Sequence, residues 1–230
     1  MAEFKREYYS NDKLFKEYFE INGKKEGEYK SYHENGQLEC VCNYVNGKLE
    51  GEFKQYYRDG TLCIICYYVN GEKEGEFKQY YMNGQLQEIS NWFNGNIEGE
   101  YKEYYYNGQL SYICNYVNGN EEGEYKSYYR NGKLKKIHSY VNGIIGGESK
   151  KYYDNGQLKQ IHIYFNGKLV GEYKEYYKNG QLYLIYNYVN GKKHGEYKIY
   201  LSDGQLEQSG NYIKGILVYT FIYLKRRFFY

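Results

Sequence analysis

The chain has 230 residues, of which 37 are Tyr, 27 are Gly, one is Trp and none is Pro. Lys and Arg total 31 and Asp and Glu total 29, giving a formal net charge of +2. This balance excludes the strong basic field that nucleic-acid-binding domains present, so we expect no nucleic-acid partner. The many Tyr residues favour β-strands, because Tyr fits a half-buried pleated surface and keeps a polar tip in water.

The N-terminal segment, residues 1–21, lacks the apolar region of a secretory signal. It matches the second half of the repeat described below, and we predict that it is an N-terminal capping half-repeat. The longest apolar run, residues 216–224, is too short for a bilayer-spanning helix. The five Cys residues show no paired spacing, which favours free thiols in a reducing compartment. We therefore expect an intracellular, cytoplasmic location.

Two series of Asn-Gly or Asp-Gly pairs recur along the chain in steps of 24 residues. The first series begins at Asn22, Asn46, Asn70, Asn94, Asn118, Asn142, Asn166 and Asn190. The second series follows 13 residues later, at Asn35, Asp59, Asn83, Asn107, Asn131, Asn155, Asn179 and Asp203. A fixed period of this kind indicates a repeat architecture. We predict eight tandem repeats over residues 22–213, followed by a C-terminal capping strand and a basic-aromatic tail over residues 214–230.

Each repeat contains two short segments that have strand length, such as residues 28–33 and 38–45. Asn-Gly pairs between such segments predict hairpins with type I′ turns. The second segment also shows helical spacing, but it is short for a helix and rich in β-branched residues, so we favour a strand with a β-bulge. Residues 47–51 begin and end with Gly and predict a wider loop from one hairpin to the next. The expected fold is an all-β, elongated antiparallel sheet of tandem hairpins.

Three positions of the first strand are identical in all eight repeats: a Glu, a Lys two residues later and a Tyr two residues after that. A spacing of two places them on one face of the strand, where the Glu and the Lys can offset each other's charge. The resulting tyrosine ladder is our candidate interaction surface. It comprises Tyr32, Tyr56, Tyr80, Tyr104, Tyr128, Tyr152, Tyr176 and Tyr200. The opposite face carries an aromatic residue in every repeat except one, where Ser149 replaces it.

Residues 94–110 read NGNIEGEYKEYYYNGQL. This pattern resembles the variant MORN repeat, which occurs in tandem in YwqK-type antitoxin components, and the resemblance covers roughly residues 8–215. The resemblance implies a twisted antiparallel sheet of hairpins with a groove. It also implies scaffolding, dimerisation or contact with membrane lipid head groups, and the antitoxin label implies a protein partner.

Cys and His residues share one repeat position: Cys42, Cys66 and Cys114, and then His138 and His162. Equivalent residues of neighbouring repeats would lie about 10 Å apart, because two strands separate them. That distance is too long for a disulfide or a shared zinc ion. We therefore expect part-buried thiols and histidines without a bound metal.

Eight copies of the same Glu, Lys and Tyr argue against an active site, which needs one distinct constellation of groups. We expect no enzyme, no catalytic residue and no cofactor; any non-repeated pocket would lie at the irregular residues 144–149. Tyr is enriched at protein interfaces, so the sequence favours a protein-binding scaffold. The alternative is a module that binds lipid head groups or glycans. The basic residues 225–227 predict a solubilising cap.

Overall fold

A computed structural model describes residues 1–222, which form strands and turns. The chain divides into two compact units, Met1–Asn120 and Glu121–Tyr230. The strands of the first unit are β1 (Ala2–Tyr8), β2 (Leu14–Ile21), β3 (Lys24–Tyr32), β4 (Leu38–Val45), β5 (Lys48–Leu49), β6 (Gly51–Tyr56), β7 (Leu62–Val69), β8 (Glu72–Tyr80), β9 (Leu86–Phe93), β10 (Asn96–Ile97), β11 (Gly99–Tyr104) and β12 (Leu110–Val117).

The strands of the second unit start at the boundary between the two units and follow the same order. They are β13 (Asn120–Tyr128), β14 (Leu134–Val141), β15 (Ile144–Tyr152), β16 (Leu158–Phe165), β17 (Lys168–Tyr176), β18 (Leu182–Val189), β19 (Lys192–Lys193), β20 (Gly195–Tyr200), β21 (Leu206–Ile213) and β22 (Ile216–Ile222). Among residues 1–222 no helix is formed, so none has the length and apolar character that crossing a membrane would need.

Within each unit the strands pair antiparallel with their neighbours along the chain, and the same register recurs. In β3 and β4, Tyr29 faces Cys42 and Lys30 faces Val41. One period later, in β6 and β7, Phe53 faces Cys66 and Lys54 faces Ile65. The prediction of an all-β antiparallel array of hairpins with a period of 24 residues is therefore confirmed.

The two series of turns have different backbone conformations. In the first series both residues have positive φ, for example 52° at Asn46 and 81° at Gly47, as a type I′ turn requires. In the second series only the Gly has positive φ. At Asn35 the side-chain amide oxygen instead accepts a hydrogen bond of 3.1 Å from the Gln37 amide. The type I′ prediction is therefore right for the first series and wrong for the second.

The wider loop predicted at residues 47–51 is also wrong. Lys48–Leu49 pairs with β4 directly after the turn, and Glu50 donates its amide to the Asn43 carbonyl at 2.9 Å, so the strand continues into Gly51. Gly51 has a φ of +87° and forms part of a β-bulge. From the sequence this Gly was interpreted as the end of a loop. A second bulge, at Glu39, lies at the start of β4 and confirms the bulge predicted there.

Few side chains are buried, because a single sheet has no second layer to cover it. Most of those lie on one face in two adjoining rows, and this face is called the inner face here. One row contains aromatic residues such as Phe77 and Tyr101, and the other contains small or polar residues such as Cys42 and Ser90. The Glu-Lys-Tyr positions lie on the other face, called the outer face.

Both terminal segments form strands. β1 and β2 pair with the register of a repeat, including the shift before Tyr8. β22 pairs with β21, and all of its described side chains are exposed. The predicted basic tail, residues 225–227, lies outside the described residues. The predicted boundaries of the two caps and the repeat array stay a prediction.

Candidate interaction surface

The tyrosine ladder lies on the outer face, and all eight of its members are half-buried. Each repeat also places its Glu next to its Lys in an ion pair, as in Glu28–Lys30 at 2.6 Å and Glu172–Lys174 at 2.6 Å. The prediction that these two residues offset each other is confirmed. Burial and a hydrogen bond to Glu17 raise the pKa of Tyr32 to about 12. The ladder therefore presents half-buried tyrosines on the same face as the Glu-Lys ion pairs, and its role as an interaction surface stays a prediction.

A second row of tyrosines links neighbouring repeats, and each of them follows a ladder residue directly in the sequence. The hydroxyl of each donates a hydrogen bond of 2.7–2.8 Å to the backbone carbonyl of the ladder residue one repeat later. The pairs are Tyr9–Tyr32, Tyr57–Tyr80, Tyr81–Tyr104, Tyr129–Tyr152, Tyr153–Tyr176 and Tyr177–Tyr200. The sequence alone did not predict these hydrogen bonds, although the recurring Tyr-Tyr pair could have indicated them.

A glutamate fastens the first-series turn in the first five repeats. Its carboxylate accepts a hydrogen bond of 2.7–3.0 Å from the amide of the Asn that opens the next turn. The pairs are Glu26–Asn46, Glu50–Asn70, Glu74–Asn94, Glu98–Asn118 and Glu122–Asn142. Gly146, Val170 and His194 occupy the equivalent positions in the last three repeats. These turns lack the carboxylate that covers the others.

An exposed apolar residue precedes each of these turns, and together they form what we call the apolar row. In the first unit its members are Val45, Val69, Phe93 and Val117, and in the second unit Val141, Phe165, Val189 and Ile213. Exposure rises from 38–41% for the three Val residues of the first unit to 54–59% for those of the second. The Val residues of the apolar row are therefore more exposed in the second unit, including Val141, whose turn Glu122 still fastens.

A groove opens in the second unit where the glutamate is first missing. It has a volume of about 410 Å³ and is lined by residues that include Val141, Ile144, Gly146, Tyr164 and Phe165. Phe165 is 68% exposed and Ile144 is 54% exposed. The groove lies at the segment, residues 144–149, that the sequence marked as irregular.

The row that contains the Cys and His residues is buried on the inner face. Cys42, Cys66 and Cys114 are buried free thiols, and burial raises the pKa of the Cys66 thiol. His138 and His162 are buried among tyrosine rings. Within residues 1–222 no cluster of three or more His, Cys, Asp or Glu residues is arranged to hold a metal ion.

The model of the MORN repeat variant matches the chain eight times, at residues 25–46, 49–70, 73–94, 97–118, 121–142, 145–166, 169–190 and 193–214. The chain belongs to this family. The matched stretches start near the beginning of each MORN repeat and end at the first residue of the type I′ turn, which is Asn in seven repeats and Lys214 in the eighth. MORN repeats are generally interaction modules.

Solved structures with detectable similarity to this MORN array are much larger toxin chains. They include TcdB2-TccC3-Cdc42, at 13% identity and a TM-score of 0.20, and TcdB2-TccC3, at 13% identity and 0.22. A third is the Tc holotoxin pore of Photorhabdus luminescens, at 14% identity and 0.17. The alignments cover 91–92% of this chain but only 13–14% of the toxin chains, and similarity this weak carries no functional argument. No curated protein sequence matches the chain.

Proposed function

We propose that the protein is a non-catalytic scaffold that binds a partner protein through the groove around Gly146. The observation that carries the proposal is the loss of the turn glutamate at this repeat. The groove at this repeat exposes Val141, Ile144 and Phe165 together, whereas each of the five preceding repeats fastens its turn with a carboxylate. Clustered exposed apolar side chains with neighbouring polar groups are typical of protein interaction sites.

The charges beside the groove indicate which partner it suits. Lys168, Lys192 and Lys214 lie at the same edge of the second unit, and none of them has an ion pair within residues 1–222. Val170 and His194 occupy turn positions where the first five repeats have a Glu. The partner segment we propose is therefore apolar and carries carboxylates, which would contact the lysines while its apolar side chains fill the groove.

The tyrosine ladder is the second candidate surface for the same function. Its rings are half-buried, so they offer less apolar area per residue than Phe165 does. The alternative function, binding of lipid head groups or glycans, would use repeated weak contacts along the ladder instead of one groove. The two surfaces lie at different places in the repeat and can be tested separately.

Gly146→Glu is the sharpest test of the groove. Gly146 does not have a positive φ, and a Cβ atom there would meet nothing within 4 Å. The new carboxylate can reach the Asn166 amide as Glu122 reaches the Asn142 amide, so we expect the variant to be as stable as the wild type or more stable. We also expect it to close the groove and to lose the partner.

The experiment is affinity purification of the tagged chain from its native cell, followed by mass spectrometry and by titration of the purified partner. The proposal is supported if Gly146→Glu weakens binding at least tenfold and a synthetic apolar-acidic peptide from the partner competes. Glu74→Gly, the reverse change in the first unit, is the matched control and should leave binding unchanged. A partner that still binds Gly146→Glu but is lost when Tyr56 and Tyr80 become Ala would move the interface to the ladder and overturn the groove proposal.

A further inference from the structure

The second unit contains a pair of lysines that face each other directly. Lys136 of β14 and Lys151 of β15 are register partners and lie on the inner face. Like charges directly opposite on neighbouring strands are unfavourable. Burial and the neighbouring Lys151 lower the pKa of Lys136. Neither lysine forms an ion pair within residues 1–222, unlike the Lys of every Glu-Lys pair on the outer face.

These lysines open into a cleft of about 320 Å³. Its lining includes Lys135, Lys136, Lys151 and Lys159 together with Ser127 and tyrosine rings, and contains no carboxylate. Three nearby acidic residues are already paired: Glu124 with Lys126, Glu148 with Lys150 and Asp154 with Lys178. Glu121 attracts Lys136 but is not among the residues that line the cleft. Four lysines in one cleft are a strong local excess in a chain with a net charge of +2.

The row next to the lysines on the inner face is polar and buried. His138 follows Lys136 by two residues and is 2% exposed, and Ser149 precedes Lys151 by two residues and is 0% exposed. Both ring nitrogens of His138, the Ser149 hydroxyl and Nδ1 of His162 form no hydrogen bond with any described residue. None of these three residues lines the cleft, so the two histidines can report on a ligand beside them but do not contact it.

The equivalent like-charge pair of the first unit receives hydrogen bonds from neighbouring side chains of the chain itself. Glu88 faces Glu103 at this register position. Ser90 donates a hydrogen bond of 3.2 Å to Glu88, and Tyr112 donates one to Glu103. Lys136 is attracted to Glu121, but neither lysine forms an ion pair or a hydrogen bond with an acceptor among residues 1–222. A ligand or water can supply that acceptor.

We propose that the cleft between Lys136 and Lys151 binds a phosphate monoester group. Two ammonium groups from directly opposed residues can converge on one dianion, and charge-assisted hydrogen bonds to phosphate are strong. The tyrosine rings of the lining leave room for the group that carries the phosphate. This site is independent of the groove around Gly146, so one can fail without the other.

The test is a titration of the full chain with inorganic phosphate, and then with glycerol 3-phosphate, at ionic strength held constant with sodium chloride. Binding is followed by calorimetry and by the imidazole resonances of His138 and His162, which lie next to the lysines. The test variant is Lys136→Gln combined with Lys151→Gln. Glutamine already occupies these repeat positions at Gln160 and Gln79, so the array tolerates it.

We expect phosphate to shift the imidazole resonances and the double variant to weaken binding by about tenfold or more per lysine. Lys24→Gln combined with Lys48→Gln removes the same charge from the first unit and should bind phosphate like the wild type. Vesicles of phosphatidylcholine with and without phosphatidic acid identify the source. Lysine-dependent binding to the acidic vesicles assigns the phosphate to a lipid head group, and binding only in solution assigns it to a free ester. Phosphate effects no larger than those of chloride, or equal in the double variant, would overturn the proposal.

Discussion

One side chain decides whether the turn at the end of a hairpin is held by a carboxylate or lacks this hydrogen bond. The glutamate of the first five repeats fastens the next turn and carries a charge beside the apolar row. Where Gly146 replaces it, both effects are lost, and Phe165 is 68% exposed against 58% for Phe93, whose turn Glu74 fastens. A repeat protein can therefore create a site by removing a residue from one copy, while the other copies keep the fold.

The buried histidine beside the lysine pair should make the stability of the protein depend on pH. Burial, Lys136 and His162 lower the pKa of His138 from its ordinary value of 6.5 to about 4. The rings of Tyr125 and Tyr140 pack against it. The unfolded chain therefore binds a proton at a higher pH than the folded chain does, and the folded state loses stability as pH falls from 6.5 towards 4. The loss due to this residue is about 3 kcal/mol.

The measurement is urea unfolding of the wild type and of His138→Cys at pH 7 and pH 4.5 in phosphate-free buffer. Cysteine is the residue that Cys114 supplies at this position, where it is 1% exposed. Carboxylates titrate in both proteins, so the difference between them isolates His138. Equal losses of stability on acidification would show that His138 does not carry this effect.

At the scale of the strand, Gly210 of β21 allows the last described strand to pack. Tyr197 is 2% exposed and lies over this glycine, and Gln208 donates a hydrogen bond of 2.6 Å to its hydroxyl. A Cβ atom at position 210 would clash with the backbone of Tyr219 and the ring of Tyr197. Gly210→Ala should therefore cost about 1–3 kcal/mol of unfolding free energy through overpacking.

Thermal unfolding and hydrogen exchange would check this expectation, with faster exchange expected in β21 and β22. Gly146→Ala is the matched control, because a Cβ atom there meets nothing within 4 Å. If both alanine variants unfold at the same temperature, the space above Gly210 is not needed.

The strands also show how far the sequence alone could lead. The 24-residue period and the type I′ turns at Asn46 and its equivalents follow from the local Asn-Gly turn sequence, which recurs in every repeat. The second series of turns could not be told from the first by its Asn-Gly pairs, because an amide hydrogen bond decides the conformation of Asn35. The bulge at Gly51 was mistaken for a loop, since Gly with positive φ serves both. The lysine cleft depends on which residues face each other, and only the register shows that.

At the scale of the whole molecule, a strictly periodic array should accept the removal of one complete repeat. Deleting residues 73–96 joins Glu72 to Ile97, which continues the pattern at the equivalent position. Each strand keeps a partner with the same inner and outer faces, so we expect cooperative unfolding and a strand-rich circular dichroism spectrum like that of the wild type.

Deleting residues 73–95 is the control, because a shift of one residue turns the inner face of the joined strand outward. This variant should aggregate or unfold at a much lower temperature. If the two deletions behave alike, the periodicity does not govern assembly.

The order of strand pairing has a mechanical consequence. Within each unit a strand is hydrogen-bonded to the segments before and after it in the chain, where β5 with β6, β10 with β11 and β19 with β20 each act as one interrupted strand. A force that pulls an end of the chain away from the sheet therefore breaks the hydrogen bonds of one strand at a time. The strand is peeled from its neighbour, and the strands are not sheared past one another. Each repeat would release 24 residues, or about 80 Å of extended chain. We expect the protein to lengthen in small, even steps at low force.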